Sequence, residues 1–162
     1  MVRFVAASNF QPTRLVESLW TSKINGWAPY CCIQQRYSYL RPRAGAIFGR
    51  QVAANYDLIE FCRTHNFPLI GYAPMLKGAV ASRPDKKLNK RYAGEDIEAR
   101  LALLNEVSRE MGVSATQLTL AWMRHHEATV IPLIGVSTVA QLNEALDALG
   151  LDLDAETMEM LN

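Results

Sequence analysis

The side chains with reactive potential in this sequence are three histidines, three cysteines and a scatter of tyrosines, and their spacing narrows the chemistry open to them. His65, His125 and His126 stand at no metal-ligand spacing. The adjacent pair points two ways from a helix, so all three read as helix-end residues. Cys31 and Cys32 are neighbours and Cys62 is alone, which gives neither a disulfide framework nor a CxxC metal or redox pair; buried reduced thiols are the expectation. Between residues 77 and 94, six basic residues (Lys77, Arg83, Lys86, Lys87, Lys90 and Arg91) meet one acid, Asp85, and by itself such a run is a solvated charged loop. The other polar residues of interest end short apolar runs: Ser8 and Asn9, Gln34, Tyr72, and the stretch from Gly135 to Thr138. Taken singly, Asn9 is a turn residue, Gln34 a solvated loop end, and Tyr72 a strand-end ring with its hydroxyl in water.

Four apolar runs, at 2–6, 31–34, 68–72 and 130–134, read as strands, and helical periodicity fills the intervals. Pro12 opens a helix carrying Leu15, Val16, Leu19 and Trp20; a second carries Ala54, Leu58, Phe61 and Cys62. The segment 96–111 shows Ile97, Leu101, Leu104 and Met111 on one face and stops at Gly112. Ser114 with Gln117, and Thr138 with Gln141, have the spacing of capping boxes. The first starts a helix with Leu118, Ala121 and Trp122; the second starts one with Leu142, Ala145, Leu146 and Leu149. A short helix over 154–161 ends the pattern. Alternating strands and helices call for a parallel sheet covered by helices. A flavodoxin-like open sheet, a Rossmann-type sheet and a segment of a barrel all fit, and periodicity does not choose among them.

Composition sets outer limits. A chain of 162 residues with 49% hydrophobic and 20% charged residues suits one soluble domain over 1–162. A net charge of +1 makes no broad basic field, so nucleic acid is not an expected partner. No apolar stretch reaches the roughly 18 residues that a membrane helix needs, and the opening residues lack a long apolar leader, so the expected location is cytoplasmic.

The strings VRFVAASNF, IQQRYSYL, GYAPMLKG and IPLIGVSTVAQLNEAL, in that order, resemble successive stations of the aldo-keto reductase family. The resemblance covers nearly the whole chain. It implies an α/β fold, the C-terminal half of a (β/α)8 TIM barrel, with about four parallel strands and outer helices. It also implies that Ser8, Asn9 and Gln34 hold the carboxamide of a nicotinamide ring, whose acceptor and two donors such uncharged side chains satisfy. Tyr72 would be the stacking platform for that ring, with Ala73 where the family usually has Ser. Gly135, Val136, Ser137 and Thr138 would take the adenosine phosphate at a helix start. Gln141 and Glu144 would contact the adenosine end, while Ala145 stands in place of the usual Asn. The basic loop would fold over the pyrophosphate. The cofactor implied is NADP, with NAD open as well, because no Lys or Arg lies within IGVSTVAQ to favour a 2′-phosphate.

The family's Tyr, Lys, Asp and His, which donate and tune a proton while the cofactor delivers hydride, come from the first half of its barrel. This sequence begins at what resembles the fifth strand. Tyr30, Tyr37 and Tyr39 show no Lys and Asp in the required setting, so no catalytic residue is assigned. A whole barrel of this type takes about 250 residues. The expected function is that of an oxidoreductase polypeptide carrying the cofactor-binding half, reducing carbonyls only when joined to a catalytic N-terminal half. The alternatives are a non-enzymatic dinucleotide-binding module or inactive remnant, and an unrelated parallel α/β domain. Open sheet edges also predict association, with an N-terminal half-barrel or with a second copy.

Overall fold

A computed structural model describes residues 1–81 and 88–162. Arg83, Asp85, Lys86 and Lys87 of the basic loop lie outside the described residues. In chain order the elements are β1 (Val5–Ser8), α1 (Pro12–Asn25), β2 (Tyr30–Arg36), α2 (Tyr56–Thr64), β3 (Leu69–Tyr72), α3 (Glu95–Glu110), α4 (Ala115–Arg124), β4 (Val130–Leu133), α5 (Val139–Asp147) and α6 (Ala155–Leu161). Local chemistry sets many of these bounds. Pro12 occupies the first turn of α1, and Gly26 closes that helix in the left-handed region at φ 65°. Ser114 and Gln117 satisfy each other's backbone N–H groups in a full capping box at the start of α4.

All four strands are parallel and lie in the order β1-β2-β3-β4. Doubly wound sheets reverse their strand order part-way, so this sequential order leaves the barrel segment among the three candidate architectures. The register shows which face is covered. Ala7, Ile33, Leu69 and Val130 pair across the sheet and are all buried against the helices. The next row, Ser8, Gln34, Ile70 and Ile131, points the other way, and Ile131 with Leu133 is exposed. The core therefore sits between the helix-facing rows and the helices, with Leu15, Leu58, Leu104, Leu118 and Met123 filling it.

Gly71 in β3 is part of this packing. A Cβ built there would stand 2.7 Å from Met123 Cε and 3.3 Å from Tyr37 Cβ, so a side chain at this strand end would require its neighbours to shift. The C-terminus is tied in by Trp122, whose Nε1 donates to Asn162 Oδ1 at 3.0 Å, and by Arg100, which donates to the Leu161 and Asn162 carbonyls while lying over the Tyr39 ring.

Three expectations need correction. The first strand begins at Val5, not at residue 2, because its pairing starts at Val5 opposite Tyr30; Val2 and Phe4 are exposed. In α1 only Leu15 is buried, and in α5 only Ala145, whereas Val16, Trp20, Leu142, Leu146 and Leu149 are exposed. These two helices flank the ends of the helix layer, so each has a neighbour on one side alone. Of the thiols only Cys62 is buried; Cys31 is exposed at the N-terminal end of β2, and Cys32 alternates onto the face that no helix covers.

Candidate functional site

Ser8 and Tyr72 are the last residues of β1 and β3, Asn9 follows Ser8, Gln34 lies two residues before the end of β2, and Gly135 lies two residues beyond β4. All therefore gather at the C-terminal ends of four adjacent parallel strands. Asn9 is the hub. Its backbone adopts φ 58°, a left-handed conformation that Asn tolerates better than most residues. Its Oδ1 accepts from the Val52 N–H at 3.0 Å and from the Tyr72 hydroxyl at 3.1 Å, and its Nδ2 donates to Ser8 Oγ at 3.0 Å. The Asn9 N–H donates to the Gln34 carbonyl at 3.1 Å, which fixes Asn9 against β2 as well. The Tyr72 hydroxyl is thus engaged with Asn9, not left in water, and its ring is held at the mouth of the sheet.

Arg36 is the residue that sequence reasoning missed. It pairs in register with Tyr72, and strand alternation from Gln34 could have found it. Its guanidinium lies 4.6 Å from the Phe48 ring centroid and 5.5 Å from that of Tyr72. It donates to Gln51 Oε1 at 3.0 Å and to the Tyr92 hydroxyl at 3.4 Å. Burial raises the Tyr72 phenol above its ordinary pKa, with the neighbouring Arg36 charge opposing the shift.

A second cluster lies between the loop after β3 and the start of α5. Here a pocket of about 640 Å³ is lined by Tyr72, Lys77, Gly135, Ser137, Gln141 and Glu144, among others. The loop that forms one wall holds Ala73, Leu76 and Lys77 at φ 58°, 46° and 61°. Non-glycine residues in that region carry a backbone cost of order 1 kcal/mol each, and such strain concentrates at ligand sites. On the opposite wall Thr138 Oγ1 accepts from the Gln141 N–H, while Gln141 Oε1 accepts from the Ser137 N–H at 2.8 Å. The capping-box spacing is therefore met in half: Gln141 reaches back to Ser137, not to Thr138. Glu144 Oε1 accepts from the Ser114 hydroxyl at 2.7 Å, which ties α5 to the N-terminus of α4. Ala145 is buried against Leu120. Lys90 and Arg91 lie apart from this pocket, in a short 3-10 turn where Arg91 donates to the Ile47 carbonyl.

The remaining candidates have structural surroundings. Tyr37 is stacked on Trp122, and burial pushes its phenol up to about 12, the wrong direction for a proton donor near neutrality. Tyr39 is fully buried edge-on to Trp122. His65 and His125 cap α2 and α4, and His126 packs against Tyr37 and Trp122. Among the described residues no three His, Cys, Asp or Glu side chains are grouped to hold a metal, and no helix is long and apolar enough to cross a membrane.

The sequence model of the Aldo/keto reductase family matches residues 1–162. The chain belongs to that family. Aldo-keto reductase AMT2 of Alternaria alternata is 24% identical over 165 residues, a match that takes in 96% of this chain and 42% of that protein. Two solved structures share the fold: the thermostable aldo-keto reductase Tm1743 (TM-score 0.70, 22% identity) and MGS-M4, an aldo-keto reductase from a Medee basin deep-sea metagenome library (TM-score 0.66, 17% identity). Each likeness covers 98% of this chain and 47% of the solved chain. These neighbours are (β/α)8 barrels, so the chain spans about half the length of the relatives it matches.

Proposed function

We propose that this chain is the nicotinamide-dinucleotide-binding half of an aldo/keto reductase, and that it reduces carbonyls only when a half bearing a proton donor completes the barrel. The observation that carries this reading is the pocket beside Tyr72, because five residues expected to hold the cofactor (Tyr72, Gly135, Ser137, Gln141 and Glu144) line it together. The residues fit the group. The start of α5 offers backbone N–H groups of the kind that suit a phosphate, and Lys77 adds a cation at the same pocket. Ser8 and Asn9 are not among that pocket's lining residues; they stand at the neighbouring strand ends, and Tyr72, braced by its bond to Asn9, would give a nicotinamide ring a fixed surface. When bound, the cofactor supplies hydride; the chain's own residues bind and orient it. The absence of Lys and Arg from residues 134–141 argues for weak discrimination between NADP and NAD.

Titration calorimetry of the chain with NADP⁺, NADPH and NADH tests the reading. Binding is expected in each case, and Tyr72→Ala is expected to weaken it by about ten- to a hundredfold, the worth of one aromatic stack of about 1–3 kcal/mol. No binding at millimolar dinucleotide by a cooperatively folded chain would overturn it. The same preparation is expected to leave aldehydes unreduced above a buffer control, since loss of a positioned acid costs about two to four orders of magnitude in rate.

A further inference from the structure

At the N-terminal end of β2, away from the dinucleotide pocket, the pairing with β1 is irregular. Val5 pairs with Tyr30 and Ala7 with Ile33, so β2 takes three steps where β1 takes two. Three steps along a regular strand would turn Tyr30 and Ile33 to opposite faces. Here both pack toward the helices, Tyr30 edge-on to Phe10 and Ile33 fully buried. A bulge absorbs the extra residue and sets Cys31 and Cys32 together opposite the single Ala6. Neighbours on a strand ordinarily alternate between faces, yet these two sulfurs stand 3.9 Å apart. Cys31 is exposed, Cys32 is half-buried, and both are free thiols. The arrangement is set by the pairing of β1 with β2, which both lie within the chain.

We propose that the Cys31–Cys32 pair is a binding site for one soft, thiophilic ion of low coordination number, and that copper(I) is that ion. At about 2.3 Å per metal–sulfur bond, two thiolates reach one ion at any separation up to about 4.6 Å, and the observed 3.9 Å lies within that reach. Thiolate donors select copper(I), zinc and iron–sulfur clusters. Structural zinc and the clusters take more ligands than two, whereas no third His, Cys, Asp or Glu joins this pair among the described residues. Two thiolates suffice for copper(I). A direct disulfide is disfavoured, because adjacent Cα atoms are about 3.8 Å apart and unstrained bridges begin at roughly 4.4 Å. On binding, each thiol gives its proton to solvent and two sulfur–copper bonds form. A singly charged cation and two neutral thiols thus become a singly charged anion and two protons, with no electron transferred. The dinucleotide pocket opens at the other end of the strands, so this site does not rest on the dinucleotide reading.

Copper(I), presented without oxygen as its coloured bicinchoninate complex, tests this on the full chain. The native chain is expected to withdraw one ion per chain and bleach the complex. Cys31→Ser and Cys32→Ser are each expected to lose that capacity, and Cys62→Ser to keep it. Urea unfolding checks each variant; alanine replaces serine at any position where the variant does not unfold cooperatively. X-ray absorption of the loaded chain should show two sulfur neighbours at the copper, and excess zinc should not displace it. A cooperatively folded chain that leaves the complex coloured overturns the proposal, as does a variant lacking Cys31 or Cys32 that still takes up the ion. One ion held between two chains, or displacement by zinc, overturns it as well.

Discussion

Replacing Gly71 by Ala is the smallest change that probes how the site is built. The added methyl would meet Met123 Cε at 2.7 Å and Tyr37 Cβ at 3.3 Å. Met123 is fully buried, so its terminal methyl has no solvent to turn into, and Tyr37 is pinned by its stack on Trp122. Overpacking of this kind costs about 1–3 kcal/mol, and the entropy gained by removing a strand glycine returns about 0.5–1 kcal/mol. Met is the most adaptable side chain the methyl could meet, so a net loss of about 1–2 kcal/mol is expected. Urea unfolding followed by far-UV circular dichroism measures it. Because the clash is with the end of one side chain, Met123→Val should relieve it, and the double variant should lose less than the two single losses together, by about 1 kcal/mol. Tyr72 is the next residue, so the single variant should also weaken dinucleotide binding by more than its loss of stability explains. An unchanged or raised midpoint for Gly71→Ala, or strict additivity with Met123→Val, would refute the packing argument.

Asn9→Ala should cost about 1–3 kcal/mol in the same assay, since it strands the Val52 N–H and the Tyr72 hydroxyl, and Asn9→Asp, which keeps an acceptor oxygen, should cost less. Burial against Tyr37 and Trp122 holds His126 below its ordinary pKa of 6.5, with Glu127 opposing. The unfolded chain therefore takes up that proton first as pH falls: the contribution is whole above pH 6.5 and is lost as pH drops through 6.5 toward the depressed folded value. Unfolding midpoints from pH 8 to pH 5 should decline on the acid side, less so in His126→Gln. Iodoacetamide should label exposed Cys31 in the native chain and reach Cys62, whose thiol burial pushes up to about 11, only after unfolding; native labelling of Cys62 would refute this.

The parts of the fold legible in the sequence are those that local chemistry dictates. Ser114 and Gln117 announce the start of α4 because both partners of the capping box lie within one turn. Pro12 and Gly26 bracket α1 for similar reasons. The start of β1 is not legible in the sequence: Val2, Phe4 and Val5 carry a strand signal of their own, yet where pairing begins depends on Tyr30 across the sheet. The apolar stripes of α1 and α5 were read correctly as stripes, but periodicity does not say whether anything covers them. At the site, the ends of the apolar runs locate Ser8, Asn9, Gln34, Tyr72 and Gly135 at the C-terminal ends of the strands. Their mutual bonds did not follow: Asn9 and Tyr72 are 63 positions apart, and nothing in either neighbourhood names the other.

The bond between Ser114 and Glu144 carries a consequence in terms of linkage. Ser114 caps α4 with the same hydroxyl oxygen that donates its proton to Glu144 on the pocket wall. Glu144 has a second oxygen, so a ligand that used Oε2 would leave that hydroxyl in place, and only one that took Oε1 from it would draw on the bond that ties α5 to the start of α4. Ser114→Ala removes the cap of α4 and the partner of Glu144 together, so the first turn of one helix and the pocket wall on another rest on a single hydroxyl.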